Sequence, residues 1–582
     1  MGNRLQSLIP IKSAATSNCA DLIINYLQQL GIDKVFGVPG GAIEPLCNSL
    51  ARASKSSGPD YVVARHECGA AFMADGYYRE TGKMGVVCVT TGPGTTNLIT
   101  GVSSAMAEHT PLLVITAQTA LPKFGKGALQ ESSCTAIDTV AMMRHCTLFT
   151  TLVSHPEQLE SKLISAVMAA HRNPRGPVHI SIPSDVLNSV ISQPSRIHAD
   201  LFTHDFEISD DRAIEILCKK INKVEAIAVF IDSGAQDDAE QVVKFCELVN
   251  APFVVGPTGK YWVDETHRLY RGVYGFAGHE SAREVFVEGQ VDLILAVGAP
   301  LTELSTSGWD SALLNTKLVH IDSNAEHFSR SPMANHHVCS NVGAIFNKVT
   351  AFVKKRLLEG KRWTLCNVSQ ERNSLGTYAK LDHAPAVRGR NKISAASLAS
   401  ILADKLPEKT RVFLDAGNTW AWMTHYYVNR NYNGHVHTGM AFGSMAWSPA
   451  AAIGAAVTNP RNLSVAILGD GAYLMSAQEL TVAVQLKLPV IFIVLNDSAL
   501  GMVKHGQQLG GAESIGWELC SVNYAMQATS MGATGIVIES MSKLEELDFH
   551  LIQSLGAPVL LDVRIDQNEK PPIGQRVKGL KQ

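Results

Sequence analysis

Residues 464–503 read SVAILGDGAYLMSAQELTVAVQLKLPVIFIVLNDSALGMV, and the order of residue types within them decides the fold class. Ser464 to Leu468 is a short apolar run closed by Gly469-Asp470-Gly471, and a second apolar run, Val490 to Leu495, ends in Asn496. Two such runs separated by a helix-length interval read as parallel strands joined by a crossover helix. Asp470 and Asn496 are 26 positions apart, which is one crossover, so they are expected side by side at the carboxyl ends of neighbouring strands. A carboxylate and a carboxamide oxygen there are hard ligands of the kind Mg²⁺ prefers when it also holds a diphosphate. Gly471 permits close backbone approach, and a helix opening near Ser476 would aim amide donors at the anion. A tight turn with an incidental Asp is the competing reading of Gly-Asp-Gly taken alone.

The same alternation extends through the chain and predicts an α/β protein of three doubly wound parallel-sheet domains. The expected bounds are 18–190 for the first domain, 205–355 for a central domain, 356–392 for a charged linker, 393–566 for the third domain and 567–582 for a tail. The first and third share a phrase, a polar turn with Pro leading into an apolar strand: His109-Thr110-Pro111 before Leu112, and Leu488-Pro489 before Val490. That hints at duplicated architecture.

Composition narrows the function classes. A length of 582 residues exceeds what one core organises, and 46 Gly with 24 Pro suit many short connections. A net charge of −3 with scattered Lys and Arg offers no stripe for a phosphate backbone, so nucleic acid is not an expected partner. Eleven Cys at irregular positions form no CxxC pair and read as reduced thiols. No run approaches the ~18 apolar residues of a membrane span, and a cytoplasmic location is the expectation.

A second carboxyl stands out in Arg65-His66-Glu67-Cys68-Gly69-Ala70-Ala71, between the strand-like Tyr61 to Val63 and a helix of small residues suited to close packing. An N-terminal helix Glu favoured by the macrodipole is its bland explanation. Its context is more specific. GVPGGAIEPL, RHECGAAFMADGYYRETGK, TTGPGTTNLITG and ITAQTALPKFGKGALQES in the first domain, together with the whole of GDGAYLMSAQELTVAVQLKLPVIFIVLNDSALGMV, resemble the thiamine-diphosphate-dependent enzymes of the acetohydroxyacid synthase and acetolactate synthase branch.

That resemblance implies pyrimidine-binding, central and diphosphate-binding domains, with thiamine diphosphate and Mg²⁺ as cofactors. It implies that Asp470, Asn496 and the Ser498 carbonyl hold the metal, and that Gly469, Gly471, Ala472, Asn418, Thr419 and Ser444 surround the cofactor. Met445 would be the apolar wedge beneath it and Glu67 the acid that activates its aminopyrimidine. Gly41 would approach the reacting carbon and Gln130 would face the substrate. The active site would form between subunits of a homodimer or homotetramer, with a 2-oxo acid and a carbonyl acceptor as small-molecule substrates.

Three departures bear on substrate and on FAD, which the resemblance also raises. Ala296 to Glu303 (AVGAPLTE) stands where the branch carries Arg-Phe-Asp-Asp-Arg, so an arginine for a flavin or a second carboxylate is missing. Gly506 stands in place of the tryptophan that selects the acceptor, which opens volume for a larger or different one. Arg144 replaces a lysine, keeping charge but not geometry. The expected activity is a decarboxylating carboligase with an altered acceptor. The alternatives are a simple 2-oxo acid decarboxylase, a flavin-linked pyruvate oxidase, and a non-catalytic scaffold that retains the fold.

Overall fold

The structure is a computed structural model that describes residues 17–191, 195–203, 209–287, 291–364, 392–430 and 435–573. It contains three six-stranded sheets in which every pairing is parallel. The first holds β1 (Lys34–Val38), β2 (Asp60–Val63), β3 (Gly85–Val89), β4 (Leu112–Gln118), β5 (Phe149–Leu152) and β6 (Val178–Pro183), in the order β2-β1-β3-β4-β6-β5. The central sheet holds β7 (Ile227–Ile231), β8 (Phe253–Val255), β9 (Tyr270–Val273), β10 (Leu293–Val297), β11 (Leu318–Asp322) and β12 (His336–Cys339), in the order β12-β11-β10-β7-β8-β9. The third holds β13 (Arg411–Leu414), β14 (Val436–Thr438), β15 (Ser464–Gly469), β16 (Val490–Asn496), β17 (Thr534–Ile538) and β18 (Val559–Arg564), in the order β14-β13-β15-β16-β18-β17.

Counted from its own first strand, each of the outer sheets has the same order, so the repeated phrase corresponds to repeated topology. The correspondence reaches the backbone. His109 (φ 55°) and Lys487 (φ 52°) are both left-handed residues placed two before the Pro that leads into the fourth strand. The central sheet has the doubly wound order 3-2-1-4-5-6 instead, the order of dinucleotide-binding folds. β3, β4, β7 and β16 are buried along their whole length, as strands covered on both faces by helices must be. The expected linker falls largely outside the described residues, at 365–391, and its first residues belong to the helix Val342–Leu358. Most of the expected tail, 574–582, also lies outside them.

The outer domains lock together through the small-residue helix Glu67–Thr81, which packs on the helix Trp447–Ala456. The backbones nearly touch: a Cβ on Gly76 would lie 2.0 Å from the Ala451 carbonyl oxygen, and one on Gly454 1.9 Å from that of Met73. Around this crossing Asp75 accepts from Trp447 Nε1 (2.6 Å) and Arg79 Nε (2.8 Å), while Arg411, fully buried, pairs with Glu80 at 2.9 Å. Gly454→Ala is expected to force the helices apart and destabilise the protein by at least the roughly 1–3 kcal/mol typical of overpacking, read as a lower urea midpoint. The central domain ties to the third through Lys260, whose Nζ meets Glu265 (2.6 Å) and the Tyr427 carbonyl (2.7 Å).

Candidate active site

Asp470 and Asn496 are brought together by strand register. Gly469 pairs with Leu495 across β15 and β16, so the next residue of each strand stands in the same row at the carboxyl edge. Asp470 is 1% exposed; its Oδ1 accepts the Gly471 amide at 2.8 Å and its Oδ2 has no partner. Burial pushes the carboxyl up to about 6, against the pull of nearby backbone amides at Gly471, Ser498, Ala499 and Asp497. Asn496 directs Nδ2 to the Val522 carbonyl (3.2 Å) and to Asp562 Oδ1 (2.8 Å), leaving its carboxamide oxygen as the end available to a cation. Asp562, fully buried on β18, thereby sets the orientation of Asn496.

Ser498 adopts φ 55°, and its carbonyl already accepts the Leu519 amide at 3.0 Å, so a metal would have to use the second lone pair. Asp497 adds a further carboxyl, raised to about 7 by burial and by the charge of Asp470. Among the described residues no group of three or more His, Cys, Asp or Glu is placed to share a metal ion, so a cation here depends on mixed oxygens. The helix does not open near Ser476 as the sequence suggested. It starts at Asp470, with Gly469 as its N-cap, and Ser476 (φ −141°, ψ 14°) is where it breaks.

The rest of the third-sheet edge is lined by buried polar atoms without partners. Asn418 opens the helix Asn418–Tyr426 beside Thr419, which is 2% exposed; its Nδ2 lies 3.0 Å from His505 Nδ1, and its Oδ1 is unpaired. His505 Nε2 and Ser444 Oγ are buried and unpaired as well. A Cβ on Gly471 would lie 2.5 Å from Leu500 Cδ2, the tip of a side chain that can give way, and 3.6 Å from Met445 Cε. Ala472 is buried directly behind it.

Sequence reasoning passed over Asp415. It is fully buried, is pushed to about 6 by desolvation, and accepts from the Ala416 (3.0 Å), Ala446 (2.9 Å) and Ser448 (2.7 Å) amides. Those bonds hold the turn that presents Ser444 and Met445, where Ala446 sits at φ 70°. The cue was available: an acid at an apolar strand end followed by Ala-Gly repeats the cue at Asp470. The place of His505 beside Asn418 is a tertiary result.

The first sheet gathers a second cluster at its own carboxyl edge. Glu67 begins its helix behind the N-cap His66, is 9% exposed, and accepts Asn97 Nδ2 at 2.9 Å. Gly94, after β3, lies against it, a Cβ there being 3.7 Å from Glu67 Oε1. Gly41 follows β1 and faces open space, whereas its neighbour Gly40 is the one pressed on Thr90. Gln130 has φ 59° and an exposed side chain, and its backbone is anchored by Thr91 Oγ1 (3.1 Å) and backed by Gly92. Glu479, 1% exposed, joins the two domains by accepting the Arg65 amide at 3.1 Å, and burial pushes it to about 7.

Two carboxyl edges, one bearing a buried glutamate and the other a buried, unpartnered aspartate beside an asparagine, sit on duplicated sheets that flank a dinucleotide-type domain. This chain belongs to the thiamine pyrophosphate enzyme family: it matches the family's N-terminal TPP binding domain over residues 17–142, its central domain over 214–349 and its C-terminal TPP binding domain over 415–563. It is 30% identical over 567 residues to a putative acetolactate synthase large subunit of Mycobacterium tuberculosis, covering 95% of this chain and 99% of that one. It is 28% identical over 559 residues to the acetolactate synthase isozyme 2 large subunit of Escherichia coli, covering 95% and 96%. The chain is thus a thiamine-diphosphate-dependent enzyme of the carboligase and lyase type. No helix among the described residues is long and apolar enough to cross a membrane, and the ten cysteines among them are free.

Proposed function

We propose that this protein is a Mg²⁺-dependent carboligase that decarboxylates a 2-oxo acid and joins the remaining fragment to a second carbonyl compound. The observation that carries the reading is Asp470 Oδ2, buried and unpartnered beside an Asn496 whose amide hydrogens are tied elsewhere. A buried carboxylate in that state costs stability unless a cation meets it. Asp470, Asn496 and the Ser498 carbonyl would hold Mg²⁺. Asn418, Thr419, Ser444 and His505, with Gly469, Gly471 and Ala472, would enclose the diphosphate, and Met445 would support the ring system. Bound thiamine diphosphate supplies the nucleophilic carbon and electron sink that 2-oxo acid decarboxylation needs.

Glu67 would hold a proton at the aminopyrimidine nitrogen, Gly41 would leave room above the reacting carbon, and Gln130 would orient substrate. The two edges complete one site when two copies meet. Exposed apolar side chains border both: Leu129 (88%) and Ile137 (60%) on the first, Phe442 (51%) and Met475 (58%) on the third. The acceptor would be altered, larger or different from that of the branch the chain resembles, a reading supported by open space at Gly506, in the helix Gly501–Gly510, where a Cβ would meet nothing within 4 Å.

Incubation with thiamine diphosphate, Mg²⁺ and a panel of 2-oxo acids, with and without aldehydes, should give a product heavier than the donor, identified by mass. Carbon dioxide and free aldehyde alone would mean a simple decarboxylase, and no turnover of any donor would favour the scaffold.

A further inference from the structure

In a sheet of order 3-2-1-4-5-6 a dinucleotide lies across the crevice where the order reverses, its diphosphate on the amides of the turn after the first strand. In the central domain the reversal falls between β7 and β10, and the turn is Asp232-Ser233-Gly234-Ala235. Every amide that follows Asp232 in this turn is already spent within the chain. Ser233 N donates to Asp232 Oδ1 (2.9 Å), Gly234 N to the Gly298 carbonyl (2.8 Å), and Ala235 N to the Asp232 carbonyl (3.0 Å).

Gly234 and Gly298, in the two turns that border the reversal, are required by packing. A Cβ on Gly234 would lie 2.8 Å from the Gly298 oxygen, and one on Gly298 would lie 2.2 Å from Ala235 N. They are small because the loops after β7 and β10 press on each other, backbone to backbone. Asp232 then fills the space beside them. It is 1% exposed, accepts Thr258 Oγ1 at 2.6 Å, and lies so close to Gly256 that a Cβ there would be 2.3 Å from its Oδ2.

Asp232 so ties the turn after β7 to the turn after β8, which fixes the first turn from the side away from the reversal. Its Oδ2 carries no partner, and Asp322, 2% exposed at the end of β11, adds a second carboxyl to the same edge. Asp322 is held by the Asn324 amide at 2.8 Å and by His327 Nδ1 at 3.0 Å. The guanidinium of Arg330 lies on the rim, donating to the Pro300 carbonyl at 2.6 Å.

We infer that the central domain's crevice is closed by the chain's own backbone, where the turns after β7 and β10 meet at Gly234 and Gly298, so that it takes neither flavin nor another dinucleotide. A flavin-linked oxidase is thereby set aside, since its electron acceptor has no seat. The inference rests on residues 227–339 and is independent of the thiamine diphosphate assignment.

The test uses the full-length protein, with and without thiamine diphosphate and Mg²⁺, titrated with FAD by flavin fluorescence and equilibrium dialysis, with ADP as a second probe. The purified protein should be colourless, and both probes should bind more weakly than about 1 mM and leave the unfolding temperature unchanged. Flavin co-purifying near one per chain, or a dissociation constant tighter than that for either probe, would overturn the inference.

Discussion

Glu67→Gln should leave the protein folded and able to bind thiamine diphosphate while lowering turnover by about 10²–10⁴-fold, the range that one positioned proton-transfer group contributes. The substitution is nearly isosteric, and the new amide oxygen can still accept from Asn97 Nδ2, the contact that now holds the carboxylate at 2.9 Å. What disappears is the acidic proton. The check is steady-state carbon dioxide release, read beside a cofactor titration. Activity within a few-fold of the parent, with cofactor binding intact, would mean that Glu67 is only a helix-terminal residue.

Asp470→Asn is expected to act in opposite directions with and without cofactor. In the holoenzyme it removes the carboxylate that meets Mg²⁺, so the thermal stabilisation given by thiamine diphosphate with Mg²⁺ should vanish; at a hundredfold excess over the dissociation constant that linkage is worth about 2.7 kcal/mol. In chelator-treated protein the variant should be the more stable of the two at pH 8. The folded carboxyl is raised from 3.8 to about 6, so its favourable contribution is whole below the unfolded value and is lost as pH climbs through 6. A shift of that size corresponds to roughly 2–3 kcal/mol at alkaline pH, and the advantage of Asn should fade to nothing below about pH 4. Equal cofactor-induced stabilisation in parent and variant would remove Asp470 from the metal site.

Strands buried on both faces were legible because burial there favours apolar residues: β15 and β16 appear as nearly uninterrupted apolar runs, and their 26-residue separation carries the register of Asp470 and Asn496. Two edge strands were not, although the edge strand β2 was read at Tyr61 to Val63. β5 (FTTL) is half-exposed throughout and β17 (TGIVI) is buried only at its last residue, so neither shows a periodicity that separates it from loop. The position of Glu67 at the head of a small-residue helix was equally readable, whereas the partner of that helix, Trp447–Ala456, lies some 370 residues onward, as the bond from Trp447 to Asp75 shows.

By itself the sequence determined the class of each domain and singled out the residues proposed as oxygen ligands and acid, because these follow from hydrophobic pattern and from side-chain chemistry at strand ends. Only the tertiary structure decided how those groups are aimed. Asp562 turns the Asn496 amide, Asp415 holds the turn of Met445, and Asp232 ties the turns after β7 and β8, each through hydrogen bonds across neighbouring strands and turns. Such bonds leave no local trace, since what makes a buried carboxyl a clamp rather than a ligand is which donors the fold has already placed against it.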